Sequence, residues 1–340
     1  MFDTHQTHGE ALVASLLGDR TAAVLATIDL DAALAHRGAE GGVSRVCFAA
    51  ALNAVLFDNL LARVPTGAAF VADQRAAGER IRFDHGALRT IRFPFGDTGA
   101  LPAGQAAFAR ILGPLGYEVA GLYPLPRLKM TGRAWAQREM PELLPQFFIS
   151  ELHVERFDPD FADAAQRVFG DSRDPLDASA TAVLERFAGG SVVSLDAAIA
   201  ALPVIVAAFD RQHGEVALGD YERLLAQSAE AAWISTEGNA FNHATSRVPD
   251  VAAEADRQRR LGRPIKDRVE VSQTGRVRQT AFRADPVERS FRDGDAIVTR
   301  VVPGSFYEII SRDVDPDTGQ LDLGFDSGNA TGIFAMTRAA

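Results

Sequence analysis

The chain has 340 residues, 47% hydrophobic and 24% charged, which excludes a disordered polymer and is enough for two medium domains or one large duplicated one. A net charge of −10 and a pI near 5.2 leave no basic face for a phosphate backbone, so no nucleic-acid partner is expected. Only two of the 35 basic residues are lysines, Lys129 and Lys266, neither in a Schiff-base context; the arginines supply many planar carboxylate clamps.

The first eighty residues read as helical. Ala11–Leu17 and Phe48–Leu61 carry apolar residues at helical spacing, and Pro65-Thr66-Gly67 ends the second run. The single cysteine, Cys47, sits in the apolar stretch Val46–Ala49. It reads as buried filler, excludes an intramolecular disulfide and fits a reducing cytosol. The start, Met1-Phe2-Asp3-Thr4-His5, has no basic region followed by an apolar core, so no signal peptide is expected.

Strand formers then take over in Ile81–Phe95. A helix follows over Gly104–Leu115, and then three strands near Gly116–Gly121, Lys129–Ala136 and Gln146–Glu155. From Phe157 to Glu230 the pattern is helical again. The longest apolar run, Ala197–Phe209, is broken by Pro203 and falls short of the about 20 residues a membrane span needs, so no membrane partner is expected and a cytoplasmic place is. The earlier order then returns: a strand over Asn239–Val248, a helix over Val251–Leu261, a hairpin of Arg268–Gln273 and Arg276–Arg283 turning at Thr274-Gly275, and a last strand over Ser305–Asp313.

This order predicts an α+β fold of two paired βαβββ modules, the vicinal-oxygen-chelate (glyoxalase-like) architecture, with added helical segments. The chain divides into an N-terminal helical segment (1–80), a first module (81–156), a helical insertion (157–235) and a second module with a C-terminal tail (236–340). The insertion is expected to pack outside the cleft between the modules. Composition sets no oligomeric state.

Seven histidines are present, and two have a context. His85 lies in Phe83-Asp84-His85-Gly86-Ala87-Leu88-Arg89. Strand alternation puts Phe83, His85, Ala87 and Arg89 on one face, an imidazole able to hold a metal beside a guanidinium able to grip a carboxylate. His243 opens the second module where His85 opens the first. A carboxylate from a third strand would complete a facial triad with open positions. Glu308, in the apolar stretch Phe306–Ile310, is costly to bury unless paired or metal-bound, with Arg312 as its alternative partner; Glu151 is the competitor. His5, His8, His36 and His213 have no partner that suggests a site, and His153 alternates with Glu151 and Glu155 on a polar strand face. There is no P-loop, no GxGxxG after a strand, no GxSxG and no paired CxxC, which excludes the common nucleotide-binding and triad-hydrolase readings.

The segments Phe83–Thr90, Phe148–Leu152, Asn239–His243 and Tyr307–Ile309 resemble, in order and spacing, the 2-oxoadipate dioxygenase/decarboxylase family over roughly residues 45 to 335. The resemblance implies conversion of 2-oxoadipate, or a similar 2-oxo dicarboxylic acid, with O2 to 2-hydroxyglutarate and CO2. It implies iron(II) held by His85, His243 and Glu308, and Arg89 as the substrate-gripping residue. The family's C-terminal substrate turn matches Gly328–Phe334, which places Gly328 and Asn329 at the substrate. Those two residues depart from the family's apolar residue and serine, which bears on which oxo acid is used. The alternatives are a glyoxalase-like isomerase or lyase using zinc, nickel or manganese, and a non-catalytic small-ligand-binding protein of the same fold.

Overall fold

Where the sequence alternates, the chain forms strands, and it does so twice in the same order. The computed structural model describes residues 7–38 and 41–326. The first unit is β1 (Arg82–Arg92), the helix Ala106–Leu112, β2 (Tyr117–Leu125), β3 (Met130–Gln137) and β4 (Gln146–His153). The second is β5 (His243–Arg247), the helix Val251–Arg260, β6 (Glu270–Val271) and β7 (Val277–Ala281), then a hairpin of β8 (Pro286–Asp293) and β9 (Ala296–Pro303), and finally β10 (Phe306–Arg312).

Eight strands form one sheet in the order β2-β3-β4-β1-β5-β10-β7-β6. In each half the first strand lies parallel to the last (β1 on β4, β5 on β10), and the last lies antiparallel to its other neighbour (β4 on β3, β10 on β7). The halves meet through antiparallel β1 and β5. This is the expected pair of βαβββ modules in a curled sheet.

The hairpin β8–β9 was not anticipated. It pairs with no strand of the large sheet; one face buries Phe291 and Val302 against the helix Leu218–Gln227, with Phe291 4.6 Å from the Tyr221 ring between centroids, and the other leaves Ile297 and Val301 exposed. The two-residue turn Gly294-Asp295, with Gly294 at φ +59°, is the hairpin signal it carries.

The sheet buries both faces. One face sets Leu88, Phe147, Ile149, Phe241, Tyr307 and Ile309 against the helix Arg45–Leu61 and its neighbours. That helix is buried nearly all round, and Ser44 caps it by accepting from the Cys47 N–H at 3.1 Å. Cys47 itself is fully buried, and burial pushes its thiol up to about 12, as an inert core residue. On the other face Ile91, Met130 and Leu152 pack against the helices Pro159–Phe169, Leu218–Gln227 and Ala229–Glu237.

The helical insertion therefore does not all lie outside the site. Helices Ala178–Ala188 and Leu195–Ala207 join the N-terminal helices. The helix Ala229–Glu237 instead lays Trp233 against Arg89, because the apolar ends of β1 and β4 have to be covered there. Among the described residues no single helix is long and apolar enough to cross a membrane.

Gly86 is required by close approach: a Cβ there would stand 2.3 Å from Phe241 Cζ on the face away from His85. Gly86→Ala should cost about 1–3 kcal/mol of stability through overpacking. Calorimetry should show a lower melting temperature, and an unchanged one would mean that the Phe241 ring has room to move.

Candidate metal centre

The site is built on three adjacent strands. Register sets Thr245 of β5 opposite His85 of β1 on one side and opposite Glu308 of β10 on the other, and His243 lies two residues back on the same face. His85, His243 and Glu308 are buried, and each offers a ligand atom within 4.8 Å of the others. His243 Nε2 is 3.4 Å from His85 Nε2 and 3.4 Å from Glu308 Oε2, and His85 Nε2 is 3.6 Å from Glu308 Oε2. Among the described residues no other group of His, Cys, Asp and Glu converges this way.

Thr245 Oγ1 donates to Glu308 Oε2 at 2.8 Å and lies 3.1 Å from His85 Nε2. Glu308 Oε1 and His243 Nδ1 are buried without a hydrogen-bond partner. A buried carboxylate oxygen with no donor is costly, and a cation beside two neutral imidazoles would remove that cost, so the residues fit a divalent metal. Phe306 stacks on the His243 ring with centroids 4.6 Å apart, fixing its plane.

Burial drives the electrostatics. It lowers His85, and it lowers His243 well below the usual range, where mutual repulsion with a protonated His85 and the charge of Arg89 add to the cost of a proton, so both rings are neutral near pH 7. It pushes the Glu308 carboxyl up to about 8, with the Thr245 hydrogen bond opposing. Below that pH the metal-free site holds a proton on Glu308, which a cation must displace. Metal affinity should therefore rise with pH, by up to about tenfold per unit, and level off above about 8. Anaerobic metal titrations from pH 6 to 9 would show this; a flat profile would contradict it.

A β-bulge supplies a feature that strand parity hides. Phe83 pairs with Ser246 and His85 with Thr245, so Asp84 is the extra residue and turns toward its own neighbour. Its carboxylate lies 2.8 Å from His85 Nδ1 and accepts from Arg247 Nε at 2.6 Å and from Arg312 Nε and Nη2 at 2.8 and 2.9 Å. Burial alone would raise Asp84, but the two guanidinium groups hold it well below the usual carboxylate range. Arg312, the alternative partner for Glu308, is taken by Asp84 instead.

Arg89 is 1% exposed and shares the strand face of His85. Its guanidinium carbon is 5.1 Å from the centroid of the Trp233 ring. The Asn242 amide, oriented to donate to Ala87 O, accepts from Arg89 Nη2 at 3.2 Å. Burial lowers Arg89 to about 10, with Glu230 opposing, so it stays charged at neutral pH. The carboxylates of Asp84 and Glu151, on β1 and β4, are engaged by Arg247 and Arg312 and by Gln105, Arg92 and Arg133 respectively.

Glu151 lies on the opposite face of the sheet, accepting from the Gln105 N–H at 2.9 Å and facing Arg92 and Arg133. Gly104, at φ +53°, makes room for it, since a Cβ there would stand 2.1 Å from Glu151 Oε2. His153 bonds Thr131 at 2.8 Å, His36 bonds Ser44 at 2.9 Å, and His213 faces the backbone oxygens of Gly214 and Ile234; none of them reaches the cluster. Gly328 and Asn329 lie outside the described residues. The segment before them, residues 321–326, crosses the site and sets Phe325 edge-on to His85, with ring centroids 4.8 Å apart.

The registers also uncover a repeat. The pairs His85↔Thr245 and Ala87↔His243 are exchanged by a local twofold axis, which maps His85 on His243, Ala87 on Thr245 and Arg89 on Arg247. Each module thus opens with His-x-x-x-Arg, a spacing visible in the sequence. The same axis puts Phe148 at the place of Glu308, so the first module has no equivalent carboxylate.

A curled sheet of paired βαβββ modules with two histidines and a glutamate gathered on one face defines a glyoxalase-superfamily protein of the vicinal-oxygen-chelate type. Within that class, the chain belongs to the 2-oxoadipate dioxygenase/decarboxylase family, whose model matches residues 51–319. A protein of Ralstonia eutropha JMP134, described as a glyoxalase superfamily protein, is 49% identical with a TM-score of 0.89 over 94% of this chain and 98% of that one. The 2-oxoadipate dioxygenase/decarboxylase of Mycobacterium bovis is 30% identical over 249 residues, covering 66% of this chain and 55% of that protein. Hydroxyglutarate synthase of Oryza sativa, solved in complex with 2-oxoadipate, shares the fold with a TM-score of 0.65 at 22% identity, over 84% of this chain and 90% of that one. The chain spans about half the length, or less, of the curated relatives it matches.

Proposed function

We propose that this chain is an iron(II)- and O2-dependent dioxygenase that decarboxylates 2-oxoadipate, or a similar 2-oxo dicarboxylic acid, to CO2 and a hydroxy acid one carbon shorter. From 2-oxoadipate that product is 2-hydroxyglutarate, and both atoms of O2 are accounted for in the two products. The observation that carries this is the convergence of two neutral imidazoles and one carboxylate from three strands, with a buried arginine on the same face. Family membership and the 2-oxoadipate complex of the Oryza protein support it.

His85, His243 and Glu308 would hold the metal. Bound iron(II) would supply the electrons that activate O2 and a template for the oxo acid. A donor set of two histidines and one carboxylate leaves positions open for other ligands. Arg89 would bind the carboxylate distal to the keto group and set the acid's register, since its fork matches a carboxylate and keeps its charge. Ala87, Phe148, Tyr123 and Phe325 form an apolar wall beside His85, which keeps water away and strengthens the charge interactions there.

The test is anaerobic reconstitution with iron(II), followed by O2-electrode traces against a panel of 2-oxo acids. Uptake that depends on 2-oxoadipate, with one CO2 released per O2, is expected. Metal-loaded protein that consumes no O2 with any 2-oxo acid would sink the proposal.

A further inference from the structure

We propose that Arg312 is a positioning residue that couples the strap of residues 321–326 to His85 by way of Asp84; this rests on the metal-site reading above. One guanidinium spans both. Its Nε and Nη2 grip the two oxygens of Asp84 at 2.8 and 2.9 Å, and its Nη1 donates to Asp322 O at 2.8 Å and Gly324 O at 2.7 Å. The Arg312 side chain is 0% exposed, so a donor that lost its acceptor could not turn to water.

Each end of this bridge reaches His85. Asp84, held as an acceptor by two arginines, faces His85 Nδ1 at 2.8 Å. That fixes the proton on Nδ1 and leaves the Nε2 lone pair aimed at His243 and Glu308, the outer-shell arrangement that orients a metal-binding imidazole. At the other end the strap sets Phe325 over the His85 ring, with the Arg312 guanidinium carbon 5.2 Å from the Phe325 centroid. Gln146 Nε2 adds a bond to Leu323 O at 3.1 Å. Seating the strap completes the Arg312 hydrogen bonds, those bonds hold Asp84, and Asp84 holds the ligand's orientation. A coupling of this kind is reciprocal: metal binding must favour the seated strap as much as the seated strap favours metal.

Arg247 separates this role from plain charge pairing. It grips Asp84 at 2.6 Å, but its Nη1 donates to Glu142 O at 2.7 Å and makes no bond to the strap itself, which Glu142 meets separately through Oε1, accepting from the Leu321 N–H at 3.0 Å. Loss of Arg247 should weaken metal binding and leave Asp322 O and Gly324 O bonded to Arg312; loss of Arg312 should weaken metal binding and release the strap as well.

The experiment is hydrogen exchange of the full chain, read by mass spectrometry, with and without cobalt(II) under anaerobic conditions, together with cobalt(II) affinity from its visible absorption. In the unaltered protein cobalt(II) should slow exchange across residues 321–326 by roughly 5-fold or more. Arg312→Gln should weaken cobalt(II) binding by about tenfold or more and abolish that protection, Arg312→Lys should restore part of both, and Arg247→Gln should weaken binding alone. Cobalt(II) binding that leaves strap exchange unchanged in the unaltered protein would overturn the inference without need of any variant. So would folded Arg312→Lys and Arg312→Gln proteins with undiminished affinity. No cobalt(II) uptake by the unaltered protein would overturn the metal reading and this inference with it. Coupling without 2-oxo acid turnover would support the inference and sink the proposed reaction alone.

Discussion

Glu308→Gln should empty the metal site and leave the fold intact. A structural site with four ligands is worth about 10–16 kcal/mol at neutral pH, so one ligand contributes roughly 3 kcal/mol, and its loss should weaken binding by about 100-fold or more. O2 uptake should fall to background with it. The stability effect has the opposite sign. Burial raises the Glu308 carboxyl to about 8 in the metal-free protein, far above its value in an unfolded chain. Between those two values the folded state binds the proton and the unfolded state does not, so metal-free stability falls as pH rises from about 4.5 toward 8. Glutamine carries no such proton. Metal-free Glu308→Gln should therefore melt as high as the unaltered protein at pH 5 and higher at pH 8. A lower melting temperature at both would show that Glu308 holds the fold rather than a metal.

Arg89→Ala should keep the metal and lose 2-oxoadipate. Arg89 lies four residues from His85 on the same face, about 13 Å along the strand at the usual rise, a span that two inward-leaning side chains and a dicarboxylic acid can bridge. Charge-assisted, bidentate binding of a carboxylate in a dry site is worth several kcal/mol once its partner would be left unpaired, so kcat/KM should drop by roughly 10³-fold. Arg89→Lys should recover only part, because a point charge cannot hold both oxygens. The defect should shrink for a 2-oxo acid with no distal carboxylate. If Arg89 serves only to fill the space beside Trp233, alanine should lower the melting temperature and leave the kinetics of folded protein unchanged. Metal content, melting temperature and O2 uptake measured on the same variants separate these outcomes.

Much of this protein is legible in one dimension. Alternating runs and turn residues are local signals, and they determined the order of both βαβββ modules, the Thr274-Gly275 turn and the buried helix around Cys47. Strand parity placed His85 and Arg89 on one face, and the cost of burying a lone carboxylate singled out Glu308. The repeated His-x-x-x-Arg was also there to be read, but two residues in five are too little to align without knowing that β1 and β5 pair.

Register, bulges and long-range contacts have no such local signature, and the tertiary structure alone decided what depends on them. Only the pairing of β5 with both β1 and β10 sets His243, Thr245 and Glu308 level with His85, because strand order is a matter of which edges meet rather than of sequence distance. Only the bulge turns Asp84 toward His85, against the parity that would point it to the other face. Glu151 and Glu308 look alike as acids in apolar strands. The sheet separates them, since one faces Gln105 and the arginines on the far side and the other faces two histidines. Trp233, more than a hundred residues from Arg89, reaches it because the apolar end of the sheet has to be covered and the helix Ala229–Glu237 is what covers it.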